Sequence, residues 1–385
     1  MVVSRLGAGA TTIRDVRAFP LAYPEPHYKG IERYLTLARV ETNDGLVGWG
    51  ECISQFPESA LATKTIVERG YAPLLVGEDA LDVERLWKRM LSRIWWYGPE
   101  GIAAFGVSAV DMALWDIKGK ALGMPVSRLL GGQVRDKVVA MASIIFDMDD
   151  LDWTLDEFGW MAKQGYRIVK GGWGMRPDAV FGQDRKRDLE LVRRIRQLVG
   201  DDIELVVDTP GARKIWDVPT AIQRVRDLEP YRLKWIEQPL SPEDLAGHAR
   251  LRAAVATPVG TGEDEWNLEG YHRLIHSGGV DVVQMDPGRC HGISGCHDVI
   301  KLIEAENLHF SLHTWSSALN TAASVHLLAI SPQGHCMDFK PHESPMQHEL
   351  VRNPWGQVDG YLEVRDVPGL GVDVREDIVK KYLFS

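Results

Sequence analysis

Three short runs within residues 203–263 decide the fold: IELVVD (203–208), LKWIEQ (233–238) and PVGTGE (258–263). Each is apolar or β-branched and too short for a helix. Helix-periodic sequence such as PTAIQRVRDL (219–228) lies between them, which is how buried strands alternating with helices read. A carboxylate closes each run, Asp208, Glu237 and Glu263, at spacings of 29 and 26 residues. That is about one strand–helix repeat, so the three acids fall at equivalent positions on successive strands.

Working outward, the same pattern gives eight candidate strands: 139–146, 166–170, 203–208, 233–237, 258–262, 280–285, 308–313 and 335–339. Segments such as RDLELVRRIRQLV (187–199) carry their apolar residues on one helical face. Eight strands with helices between them point to a closed parallel barrel. Strand count alone leaves an open doubly wound sheet possible, although no GxGxxG follows the first strand.

Upstream the pattern changes. Residues 34–42 and 46–51 read as two strands around Asn43-Asp44-Gly45, a hairpin signal. A helical block follows from about Ser59 to Leu122 and ends at Gly123. The division is an α+β domain over 1–135, a barrel over 136–355, and a glycine-rich tail, 356–385, that carries the strand-like GYLEV and returns to the first domain.

The 385 residues are 45% hydrophobic and 25% charged, enough for a sizeable core. A formal charge of −10 disfavours a phosphate-binding surface, so nucleic acid is excluded as a partner. Cys52, Cys290, Cys296 and Cys336 form no CxxC pair and read as reduced structural thiols. The opening MVVSRLGAGATTIRDVRAF lacks an apolar leader, and no run of 18 apolar residues occurs. A cytoplasmic protein without a membrane partner is expected.

At the C-terminal rim of such a barrel, Asp208, Glu237 and Glu263 converge and repel one another unless a cation neutralises them. Oxygen-only donors suit Mg²⁺. The plainer reading of any one of them is a cap for the next helix, but three in register favour the ion. Asp286, in DVVQMD (281–286), and His313, in LHFSLH (308–313), end the next two strands. A carboxylate beside an imidazole fixes its tautomer and raises its basicity, as a general base for a carbon acid requires. Lys170 ends the second strand, in reach of a substrate carboxylate, and Asp338 on the last strand completes the ring. His27 in the loop 24–29 and Tyr97 in Trp95-Trp96-Tyr97 are placed over the barrel mouth as substrate contacts, with Trp173 as a wall.

The stretches DGLVGWGE (44–51), SAVDMALWDIKGKALGMPVSRLLGG (108–132), GYRIVKGGWG (165–174), VVDTPG (206–211), WIEQPL (235–240), GTGED (260–264), QMDPGRCHGIS (284–294), LHTWSS (312–317), VDGYLEV (358–364) and PGLGVDV (368–374) span nearly the whole chain. With them the sequence resembles the enolase superfamily, and within it the mandelate racemase/muconate lactonizing enzyme branch with its acid-sugar dehydratases. The resemblance implies a capping domain over a (β/α)7β barrel, Mg²⁺ on Asp208, Glu237 and Glu263, a His313–Asp286 base dyad, and a homo-oligomer. It also implies removal of a proton next to a substrate carboxylate, with the ion stabilising the enediolate.

Members of that branch often carry Lys-x-Lys on the second strand, the second lysine being a base opposite the histidine. Here Gly172 stands at that position. Residues i and i+2 share a strand face, so the glycine is expected to leave an empty space rather than a base. One strong base favours dehydration of an acid sugar to a 2-keto-3-deoxy acid over racemisation, epimerisation or cycloisomerisation; an inactive sugar-acid-binding barrel is the non-enzymatic alternative. Two further departures are Asp338, where the family more often has Glu, and His291, where a glycine is common.

Overall fold

A computed structural model describes residues 11–385; the first ten, part of the stretch read for a leader, lie outside the described residues. The chain opens with an antiparallel sheet ordered β1 (Ile13–Glu25), β2 (Ile31–Thr42) and β3 (Val47–Cys52). β2 and β3 are the expected hairpin, and Gly45 takes φ +86° at its turn. β1 was not legible, because Pro20 and Pro24 interrupt its pattern. Its edge position explains their tolerance, since an edge strand leaves half of its N–H groups unused.

Helices α1 (Pro57–Thr65), α2 (Val83–Arg93) and α3 (Ile102–Leu122) follow, and Gly123 closes α3 at φ +66°. α3 lies directly under β3. A Cβ at Gly48 or Gly50 would fall 2.1 Å from the carbonyl oxygen of Ala113 or Ala109, so glycine is what lets strand and helix touch.

All eight expected strands form: β4 (Lys137–Ile145), β5 (Ile168–Gly172), β6 (Glu204–Asp208), β7 (Trp235–Glu237), β8 (Val259–Thr261), β9 (Val282–Met285), β10 (His309–Leu312) and β11 (Gly334–Phe339). Each pairs in parallel with the next, and β11 pairs in parallel with β4. That last pairing closes the barrel and removes the open-sheet alternative. Seven helices connect the strands: α4 (Leu151–Lys163), α5 (Arg185–Val199), α6 (Val218–Leu228), α7 (Leu245–Ala254), α8 (Leu268–His276), α9 (Gly292–Ala305) and α10 (Ala318–Ala329). Met141, Ile168, Val206, Trp235, Val282 and Cys336 fill the interior, and the larger core lies between strands and helices. Fully burying one such side chain contributes about 1.5–3 kcal/mol. The four cysteines are buried and unpaired.

Two acids from the first domain enter the N-terminal turns of barrel helices. Asp111 of α3 accepts hydrogen bonds from the Ser294 amide (2.9 Å) and hydroxyl (2.6 Å) at the start of α9. Glu51 of β3 accepts from the hydroxyls of Ser316 and Ser317 and from the Asn320 amide (3.3 Å) at the start of α10. Helix N-termini carry unpaired N–H groups and partial positive charge, which such carboxylates answer. Burial still pushes each acid up to about 7, against these hydrogen bonds.

The tail divides its contacts. β12 (Tyr361–Glu363) pairs antiparallel with β4, whereas α11 (Glu376–Tyr382) lies against β1 and Leu383 bridges to Leu21. Among the described residues, no helix is long and apolar enough to cross a membrane.

Candidate active site

The parallel register sets the ring. Gly172, Asp208 and Glu237 stand side by side on β5, β6 and β7, so the two acids leave adjacent strand ends in one direction. Glu263 follows β8 after Gly262, which takes φ +125°. Asp286 and His313 come one residue after β9 and β10, and Asp338 lies within β11. Lys170 is not at a strand end as read; it sits mid-strand in β5.

From there the buried Lys170 Nζ reaches Glu237 Oε1 (2.6 Å), Asp338 Oδ1 (3.0 Å) and Asp208 Oδ2 (3.6 Å). Burial opposes its charge, but Asp338, Glu237 and Asp208 override that and hold the ammonium well above its usual range. Burial, then Glu237, push Asp208 up; burial also carries Glu263 up to about 7, with Glu237 adding to it. The acids are therefore close enough to disfavour one another's charge. Two indoles steady them: Trp235 Nε1 donates to Glu237 Oε2 (2.9 Å) and Trp173 Nε1 to Asp208 Oδ1 (3.2 Å).

The dyad lies beside this ring. His313 Nδ1 is 2.7 Å from Asp286 Oδ2, while Asp286 Oδ1 accepts from the Gly288 amide (2.7 Å) and Asn320 Nδ2 (2.9 Å). A proton held on Nδ1 by Asp286 leaves Nε2 as the basic nitrogen. Burial works against charging His313, yet Glu263 and Asp286 raise it to about 10. Asn320 also donates to Ser316 Oγ (3.1 Å), which itself donates to Glu51. A chain of hydrogen bonds thus runs from the first domain to the dyad.

Gly172 differs from expectation. The space beside it is not empty, because a Cβ there would fall 1.9 Å from the Asp208 carbonyl oxygen. The neighbouring backbone, not a vacancy, excludes a side chain. Trp173, at φ +55°, contacts the ring through Asp208. His27 lies against Glu157 and His342. Tyr97 is half-exposed on the first domain, its hydroxyl near Gly70. His291 Nε2 lies 2.6 Å from the Pro99 carbonyl and ties down the segment after Tyr97. Asp338, despite being shorter than Glu, reaches Lys170. Sequence reasoning missed Asn320, Glu51 and Trp235. Glu51 stood in a recognised motif, whereas Asn320 carried no signal.

The donor set fits a hard divalent cation. Asp208, Glu237 and Glu263 offer oxygen only, and Glu263 Oε2 is buried without a hydrogen-bond partner. Their oxygens do not all lie within 4.8 Å of one another, so an ion would have to draw them together from around Lys170.

Comparison with known proteins gives matches along the chain. Residues 155–378 match the model described as enolase C-terminal domain-like, and 29–131 match the mandelate racemase/muconate lactonizing enzyme N-terminal domain. A D-galactarolactone cycloisomerase of Agrobacterium fabrum is 29% identical over 354 residues, 90% of each chain. A D-galactonate dehydratase of Pectobacterium atrosepticum is 28% identical over 349 residues, 89% of each. The structure of a racemase from Streptomyces coelicolor with bound magnesium superposes with TM-score 0.85 at 28% identity, covering 97% of this chain and 100% of that one.

Proposed function

The chain belongs to the mandelate racemase/muconate lactonizing enzyme branch of the enolase superfamily, and from that premise we propose that it dehydrates an acid sugar, an aldonate or aldarate, to a 2-keto-3-deoxy acid. The observation that carries this reading is the single base. His313 is paired with Asp286, and the backbone of Asp208 excludes any side chain at Gly172, where a base for the opposite face would stand. A racemase needs proton transfer on both faces of the carbon; an elimination needs it on one.

In this reading Asp208, Glu237 and Glu263 hold Mg²⁺, which supplies a positive charge where negative charge develops on the substrate carboxylate. Lys170 stands beside that carboxylate, its ammonium oriented by Glu237 and Asp338. His313 Nε2 takes the α-proton while Asp286 keeps the other nitrogen protonated. The imidazolium then returns that proton to the departing β-hydroxyl, the C–O bond breaks, water leaves, and the enol tautomerises to the ketone. Residues 1–135 with 356–385 act as the cap and 136–355 as the catalytic barrel, in a cytoplasmic homo-oligomer that acts on a free small molecule.

The same proton abstraction serves ring opening of a sugar lactone, and the cycloisomerase relative supports that as the second reading. The test is a panel of acid sugars and their lactones incubated with Mg²⁺ and read by mass spectrometry. Dehydration gives a keto acid lighter by one water, whereas lactone opening leaves the mass unchanged. With the panel repeated in D₂O, substrate that gains one mass unit at the α-carbon while no keto acid forms would overturn the elimination.

A further inference from the structure

Outside the acid ring, a second cluster joins three separate elements. His27 lies in the short turn after β1 (Pro26–Tyr28), Glu157 in α4, and His342 in the segment after β11. His342 Nε2 lies 2.5 Å and His27 Nε2 3.1 Å from the same oxygen, Glu157 Oε2. The three side chains are only 20%, 13% and 21% exposed for His27, Glu157 and His342. His27 Nε2 is buried, and its 3.1 Å contact with Glu157 Oε2 falls short of a well-formed hydrogen bond. A buried imidazole nitrogen so poorly paired gains from a better-aligned partner.

The rings are set in place. His27 and His342 stack at 3.5 Å and 15°, and Trp160 stacks on His342 at 4.4 Å and 22°. Trp153 lies 5.3 Å from His27. Burial works against ionisation of Glu157, but the two histidines override it and hold the carboxyl down to about 2, deprotonated as a ligand must be.

We propose that His27, Glu157 and His342 form a transition-metal site, of the kind that takes Zn²⁺, which clips the first domain's loop to the barrel. The three donor atoms lie within 4.8 Å of one another. Ligand bonds of about 2.0–2.2 Å need donors about 3.3–3.6 Å apart and the ion in the plane of each ring, so binding must open the 2.5 Å contact between His342 and Glu157 and splay the two rings from their 15° stack. Two imidazoles and one carboxylate select a borderline ion over Mg²⁺ or Ca²⁺, so the site is chemically distinct from the oxygen-only ring. Three protein ligands leave a fourth position for water. The clip sits next to the catalytic rim: Tyr28, the residue after His27, packs 5.4 Å from Trp315, two residues beyond His313. Metal here would hold the loop down over that rim.

The experiment strips the protein with EDTA, saturates it with Mg²⁺ to fill the acid ring, and titrates it with Co²⁺, following visible absorption and bound metal by equilibrium dialysis. The expected result is one equivalent of Co²⁺ with the intense bands of a four-coordinate histidine site. Asp208→Asn should keep it. His342→Gln and His27→Gln should each weaken it by more than the roughly 10–100-fold that losing a mere outer-shell partner costs. Wild-type protein that takes up no Co²⁺ once Mg²⁺-saturated overturns the proposal without any variant, as does equal uptake by wild type and His342→Gln.

Discussion

Replacing Lys170 by Met keeps most of the volume and removes the ammonium that three acids of the ring surround. In the native protein Nζ lies within 3.6 Å of Glu237, Asp338 and Asp208, all buried. Removing one partner of a buried ion pair costs about 3–5 kcal/mol, because the charge left behind has neither water nor counter-ion. With three acids left, metal-free Lys170→Met should lose at least that range at pH 8, measured by equilibrium urea unfolding in EDTA. The loss should shrink at low pH. Glu263, near 4.5 in the unfolded chain and about 7 in the folded one, binds more protons when folded, as does Asp208 with its raised pKa. Stability therefore falls as pH rises from about 4.5 through 7, and losing the ammonium, which lowers both, steepens and extends that fall. Mg²⁺ at 100 times its Kd adds about 2.7 kcal/mol by linkage to any protein that binds it only when folded, and should restore the variant by more than it stabilises wild type. Identical urea midpoints for the two proteins in EDTA at pH 8 would refute the argument, since Glu237, Asp338 and Asp208 would then be tolerating burial without the ammonium between them.

His313→Asn should lower turnover at least about 10²-fold and abolish exchange of the substrate α-proton with D₂O by NMR; exchange that survives there but vanishes in Lys170→Met would make Lys170 the base. Asn320→Ala removes one of three donors to Asp286, and because hydrogen bonds to charged groups are worth about 1.5–3 kcal/mol, kcat should fall about 10-fold. The unshielded Asp286 should also raise the His313 pKa, so the acid limb of kcat/KM moves to higher pH; an unmoved limb would leave Asn320 a packing residue. Asp111→Ala strands the Ser294 amide and hydroxyl at the start of α9 and should cost about 2–4 kcal/mol in urea unfolding, with Asp111→Asn milder; equal costs would show that charge, not acceptor geometry, matters there.

The barrel was legible because its strands are buried on both faces and so read as unbroken apolar runs, and because each closes on an acid one repeat from the last. Asp208, Glu237, Glu263, Asp286 and His313 follow from that spacing. β1 was hidden by Pro20 and Pro24, which only its edge position explains. The i, i+2 rule gives a face for Gly172 but not the room beside it, which the Asp208 carbonyl of the neighbouring strand fills. His27 and Tyr97 were placed over the mouth by loop membership alone, and loop paths carry no periodicity from which to aim a side chain. Asn320 and Glu51 meet across 269 residues, and no local pattern encodes a contact of that separation.

The acids that cap α9 and α10 also bear on how the chain is made. Ser317 follows Glu51 by 266 residues and Ser294 follows Asp111 by 183. At about 5–20 residues per second on the ribosome, Glu51 emerges roughly 13–53 s before the hydroxyls it will bind, and Asp111 roughly 9–37 s before its own. During that interval both stay hydrated on an incomplete sheet and helix, whose edge strand β1 also lacks α11 and Leu383. Domains generally fold as they emerge, first residues first. Here an early segment waits for partners from late in the barrel, so a ribosome pausing between α3 and α9 would hold a nascent chain with both acids solvated and its outer strand open to pairing with another chain.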